Sequence, residues 1–424
     1  MSVLIKNGQI ITADADYTAD IFIEGEQIKT IGKDLKVQAD KEIDASGKLV
    51  FPGGIDPHVH LDMPFMGTFS SDNYETGTRA ALFGGTTMVI DFILQKQGNS
   101  LRSALEEWQS RSNGNCVGDY SFHMAVTDFN ENTKKEIQEM IDKEGITSFK
   151  TFMAYKGALM IDDRQMVGLM QEVKKSQPEV TEAEASGRFA DMANYTGCPG
   201  YIVHLTCEGA LNAVRNATRR NQKVFVETCI QYLILDASLY EREDGAKWVM
   251  SPPLREKKDQ ETLWAGINQG LVQVVATDHC PFNWEQKLIG KDDFSKIPNG
   301  HPAIENRMEL LYSEGVNKRR ITLNKYVEVA CTNPAKIFGM FPRKGTIAVG
   351  SDADIVIFDP KEKHTISAKS HHMNVDYSGY EGWELTGKVK TVLLRGKVAI
   401  ENNHCKIDRG YGKFIKRNKV SQVI

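Results

Sequence analysis

No stretch of this 424-residue sequence approaches the roughly 20 consecutive apolar residues that cross a bilayer, so no membrane span is expected. Met1-Ser2-Val3-Leu4-Ile5-Lys6 lacks the charged start and long apolar segment of a secretory signal, which makes the cytoplasm the expected location. The seven cysteines are odd in number and have no paired spacing, so a disulfide framework is excluded and reduced, mostly buried thiols are expected. Neither sign of charge dominates: 52 Lys+Arg face 56 Asp+Glu, for a net charge of -4. A chain without a basic field has no electrostatic reason to bind nucleic acid or an anionic membrane, and a small-molecule ligand is the expectation.

Hydrophobic residues at 41% and charged residues at 25% describe a globular protein, long enough for one large domain and a smaller one. Residues 3–5, 9–12, 19–23, 28–31 and 48–51 read as short strands, with turns at Asn7-Gly8 and Glu24-Gly25. The far end has similar runs at 354–358 and 389–398. Each β-rich end looks too small to fold alone, so the two are expected to share one sheet domain. Between them, strand-like runs at 87–92, 120–126, 148–153, 201–205, 223–228 and 272–277 alternate with helical runs at 101–111, 134–143, 165–174, 210–221 and 259–269. That alternation over this length predicts α/β architecture, a (β/α)8 TIM-like barrel at 52–344, joined to a β-sandwich domain and tail built from 1–51 plus 345–424.

In Asp56-Pro57-His58-Val59-His60 two imidazoles one residue apart point the same way on a strand, which is how a strand end chelates a metal. Lys150, His204 and Asp278 close other strand-like runs. Alone, a surface lysine, a satisfied core histidine or a helix cap would explain each of them. Together at the C-terminal rim of one barrel, where such enzymes carry their chemistry, they point to a site for zinc or a similar divalent ion.

Gly53-Gly54-Ile55-Asp56-Pro57-His58-Val59-His60, Gly84-Gly85-Thr86-Thr87, Ser148-Phe149-Lys150, Ala276-Thr277-Asp278-His279-Cys280 and 342–354 resemble the dihydropyrimidinase and hydantoinase family of the amidohydrolase superfamily over nearly the whole chain. The resemblance implies hydrolysis of the ring amide of 5,6-dihydropyrimidines to N-carbamoyl-β-amino acids in pyrimidine catabolism, by a homotetramer. It implies two zinc ions bridged by a carbamylated Lys150 and a hydroxide, with His58, His60 and Asp278 on the first and His204 on the second. Asp278 would be general base and then acid, Tyr155 would stabilise the oxyanion, and Ser251 and Asn299 would bind the amide edge. Related alternatives are a D-hydantoinase acting on 5-substituted hydantoins and a non-catalytic adaptor of the collapsin response mediator type. Dihydroorotases carry an arginine after the His-x-His pair, where this chain has Leu61-Asp62, so a neutral ring is expected.

The chain departs from the family at one place. None of its ten histidines lies between Lys150 and His204, where the family has a further ligand. About one βα unit is absent after Lys175, and a barrel missing a strand would expose two edges.

Overall fold

Each expected strand between residues 52 and 280 forms, and most are buried along their whole length, as parallel strands are when both faces of a sheet are covered. The computed structural model describes residues 1–153, 159–174, 179–181 and 186–419. Eight strands pair in parallel and in sequence order: Gly54–Val59, Thr86–Leu94, Asp119–Ala125, Ser148–Lys150, Glu179–Thr181, Gly200–Ile202, Val224–Cys229 and Val274–Ala276. The sheet curls back on itself. Val59 bridges His279, just past the last strand, and His60 N donates to His279 O at 2.8 Å.

The expected helices are found at Leu101–Ser112, Glu131–Glu139, Asp163–Lys174, Glu208–Arg219 and Lys257–Asn268. Among the described residues two further α-helices of ten or more residues, Tyr74–Phe83 and Ser186–Thr196, and several shorter ones lie where the pattern predicted none. Among the described residues the sheet carries a strand between Lys150 and His204 where the sequence suggested one was lost. Glu179–Thr181 pairs with Ser148–Lys150 on one side and, at Val180, with Gly200 on the other, so both edges that a lost strand would open are paired. The junction of Lys175 and Ser176 lies outside the described residues.

The two chain ends build a nine-stranded second sheet. Its centre is Leu49–Pro52, parallel to Ser2–Ile11 on one side and antiparallel to Ile355–Thr365 on the other. One face packs Val3, Ile5, Ile21, Ile355 and Leu393 into a separate apolar cluster. The turn expected at Asn7-Gly8 is instead an irregularity inside one continuous strand, Ser2–Ile11, marked by a register shift between Ile5 and Gly8. A Cβ on Gly8 would lie 2.5 Å from Val50 Cγ2, so the strand crosses Val50 only as glycine. The turn at Glu24-Gly25 forms as expected, with Gly25 at φ +63°.

Buried charges join the two sheets. Lys344 Nζ lies 2.8 Å from Asp119 at the start of a strand of the curled sheet, 2.6 Å from Asp354 and 3.3 Å from Asp352. Arg395 also pairs with Asp119 and donates its backbone N–H to Asp354. Among the described residues no two cysteines form a disulfide, and five of the seven are buried. Among the described residues no helix is long and apolar enough to cross a membrane.

Candidate metal centre

The strand Gly54–Val59 points His58 and His60 towards the same rim because Val59 alone separates them. Asp278, two residues past Val274–Ala276, meets both. Its Oδ1 lies 3.1 Å from His58 Nε2 and 3.0 Å from His60 Nε2, and donor atoms of the three residues all fall within 4.8 Å of one another. His204 follows Gly200–Ile202, with its ring 5.5 Å from that of His58. His204 and Asp278 adopt φ of +39° and +51°, a region non-glycine residues seldom occupy and one that functional sites favour.

Glu227 orients His58. Its Oε1 lies 2.6 Å from His58 Nδ1 and it is fully buried, while its Oε2 accepts from Tyr201 Oη at 2.9 Å. With the Nδ1 proton directed at Glu227, the Nε2 lone pair faces the Asp278 carboxylate. Two electron-pair donors face to face are a cation site, and a carboxylate behind a ligating imidazole is its usual support. Burial pushes the His58 pKa down, but the Glu227 and Asp278 carboxylates outweigh it and raise it to about 9. His60 has no carboxylate behind it, and burial lowers its pKa to about 4, leaving a neutral imidazole. Burial likewise holds His204 well below its usual range, with Nδ1 buried and without a hydrogen bond among the described residues. Burial alone would raise the Asp278 pKa; the two imidazoles reverse this and keep it ionised. The donor set therefore suits a divalent cation.

Lys150 is also brought here. It is buried, its Nζ 4.4 Å from the Phe92 ring centre and 4.9 Å from that of Phe152. Ser251 and Asn299 line the same cavity as His60, Lys150, His204 and Asp278, with Met63, Phe65 and Leu94 as its apolar wall. Tyr155 lies outside the described residues. Sequence reasoning missed Glu227. Its signal was a carboxylate inside the apolar run Val224-Phe225-Val226, where a strand buried on both faces has no water to offer it.

Residues 49–399 match the amidohydrolase family. The D-hydantoinase of Geobacillus stearothermophilus is 43% identical over 457 aligned positions, covering 99% of this chain and 97% of the relative. An alignment longer than this 424-residue chain is in keeping with a stretch the relative has and this chain lacks. The dihydropyrimidinase of Rattus norvegicus is 37% identical, covering 100% of this chain and 90% of the relative. The crystal structure of dihydropyrimidinase from Brevibacillus agri NCHU1002 superposes with a TM-score of 0.98 at 44% identity, covering both chains completely. With a cation site at the strand ends of a curled parallel sheet and relatives of one kind along its whole length, the chain belongs to the amidohydrolase family and is a cyclic amidohydrolase of hydantoinase and dihydropyrimidinase type.

Proposed function

We propose that this enzyme opens the ring amide of 5,6-dihydropyrimidines, dihydrouracil and dihydrothymine, to N-carbamoyl-β-amino acids in cytoplasmic pyrimidine catabolism, using two zinc ions. The observation that carries the reading is the pair of imidazoles meeting Asp278 over a cavity that also holds Lys150, His204, Ser251 and Asn299. In this reading the curled sheet is a (β/α)8 barrel, residues 52–344, and 1–51 with 345–424 form a β-sandwich domain.

His58, His60 and Asp278 hold one zinc and His204 helps hold the other. Lys150 would join them as a ligand once carbamylated, since an ammonium has no lone pair to offer a metal whereas a carbamate has oxygens. Bound zinc supplies a Lewis acid that polarises the ring carbonyl and makes hydroxide available near neutral pH. Asp278 takes a proton from the attacking water and returns it to the leaving ring nitrogen. Oδ1 faces the imidazoles, so Oδ2 is the oxygen available for that transfer. Ser251 and Asn299 hold the amide edge, and Tyr155 donates to the developing oxyanion. Leu61-Asp62 offers no guanidinium for a substrate carboxylate, in favour of a neutral ring.

D-hydantoinase activity on 5-substituted hydantoins is the second reading, favoured by the identity of 43% to such an enzyme against 37% to the rat dihydropyrimidinase. A non-catalytic adaptor has no need of the donor set retained here. Elemental analysis and kcat/KM for dihydrouracil, dihydrothymine and a 5-substituted hydantoin test the proposal together. Zinc above trace level with dihydropyrimidines preferred is the expected result; a metal-free, active preparation overturns the metal assignment, and a preference for hydantoins selects the second reading.

A further inference from the structure

Lys287 is fully buried at the end of the short helix Trp284–Lys287. Its Nζ donates to three backbone carbonyls: Val249 at 2.8 Å, Pro298 at 2.7 Å and Gly300 at 2.8 Å. An ammonium has three N–H donors and no acceptor, so these three carbonyls satisfy it completely. Stability alone is a weak reason to bury a cation, because desolvation offsets much of what its contacts return. The carbonyls chosen are more informative. Val249 lies two residues before Ser251, and Pro298 and Gly300 flank Asn299.

The two segments come from separate parts of the chain and meet where Gly300 N donates to Val249 O at 3.0 Å. Val249 O thus accepts from both Gly300 and Lys287. Gly300 is pressed against the segment that carries Asp278: a Cβ there would lie 2.0 Å from Cys280 O. Lys287 therefore ties together the two segments bearing Ser251 and Asn299, while Gly300 packs them against the stretch that presents Asp278, and all three line one cavity.

We propose that Lys287 is a positioning residue for substrate: through these three carbonyls it sets the spacing of Ser251 and Asn299 in the wall of the cavity they share with Asp278. This rests on the reading that Ser251 and Asn299 bind the cyclic amide. Lys287 is not among the residues that line the cavity, so its loss acts on binding of the ring in ground and transition states alike. Such uniform binding appears in KM and not in kcat.

The test uses the full-length, zinc-loaded chain with Lys287→Met, which keeps the stem and removes the donors, and Lys287→Gln, which keeps two N–H donors. Steady-state kinetics on dihydrouracil and a 5-substituted hydantoin are read beside zinc per chain and circular dichroism. KM should rise about tenfold or more in Lys287→Met, with kcat within about threefold of wild type, zinc content unchanged and Lys287→Gln in between. A KM unchanged in both variants overturns the proposal, as does a fall in kcat and zinc with KM unaffected. If Lys287→Met does not fold, Lys287→Gln decides by the same split; if neither folds, Lys287 is a determinant of the fold and the proposal fails. Wild-type chain inactive on both rings would count against the proposed function, whereas active wild type with unaltered variants counts against Lys287 alone.

Discussion

Replacing Lys344 with methionine should destabilise the fold by about 3–5 kcal/mol near neutral pH, the usual penalty for stranding a buried partner charge. Its Nζ stands 2.8 Å from Asp119, 2.6 Å from Asp354 and 3.3 Å from Asp352, each nearly or completely buried. Asp119 keeps the Arg395 guanidinium after the substitution, but Asp354 keeps only the backbone N–H of Arg395. Asp354 is therefore the stranded group. Burial already raises its pKa with Lys344 in place, and removing the cation raises it further. A carboxyl whose folded pKa lies above its unfolded value of about 3.9 holds a proton that the unfolded chain releases, so stability falls as pH climbs from there toward the folded pKa. The variant's deficit should thus shrink on acidification, by up to about 1.4 kcal/mol per pH unit within that window. Urea unfolding followed by tryptophan fluorescence at pH 5.5 and 7.5 measures both effects. A Lys344→Met chain within about 1 kcal/mol of wild type at pH 7.5, or a deficit that deepens at pH 5.5, refutes the reasoning. Adding Asp354→Asn should recover part of the loss, because the two residues are in contact and their effects couple.

Glu227→Gln removes the carboxylate behind His58 Nδ1 while keeping its shape, and should weaken zinc affinity about 10–100-fold in chelator competition; unchanged affinity would show that the Glu227 charge is not needed to support His58 as a ligand. Lys150→Ala should abolish hydrolysis and be partly rescued by short carboxylates that replace the carbamate oxygens, whereas full activity in Lys150→Arg would refute a carbamate there. Homotetramer formation, carried over from the family resemblance, should be seen in light scattering at micromolar concentration, and a monomer across that range would end it.

Strand existence was legible wherever burial on both faces demanded unbroken apolar residues, as at 86–94 and 119–125. The site was legible because parallel strands deliver their last residues to one rim, so His58, His60, Lys150, His204 and Asp278 could be grouped before any distance was known. Helix Tyr74–Phe83 was missed because Gly77 and Thr78 dilute its helical propensity; capping by Asn73 and burial of Tyr74, Ala81 and Leu82 secure it. Asn7-Gly8 reads as a hairpin turn in any local window, and only the distant Val50 decides otherwise. Lys287 left no signal: a lysine in Trp284-Glu285-Gln286-Lys287 looks like an exposed helical cation, and its partners are backbone atoms that no side-chain pattern encodes.

The second sheet has a consequence for synthesis on the ribosome. Leu49–Pro52 can pair with Ser2–Ile11 as soon as both emerge, but its other edge waits for Ile355–Thr365. At translation rates of about 5–20 residues per second that edge stays open for roughly 15 to 60 s, while the curled sheet is still being made. An apolar strand with free N–H and C=O groups is a template for pairing with other nascent chains. Yield of native protein in vivo should therefore depend on holdase chaperones and on translation speed beyond residue 60, even for variants whose final stability is unchanged.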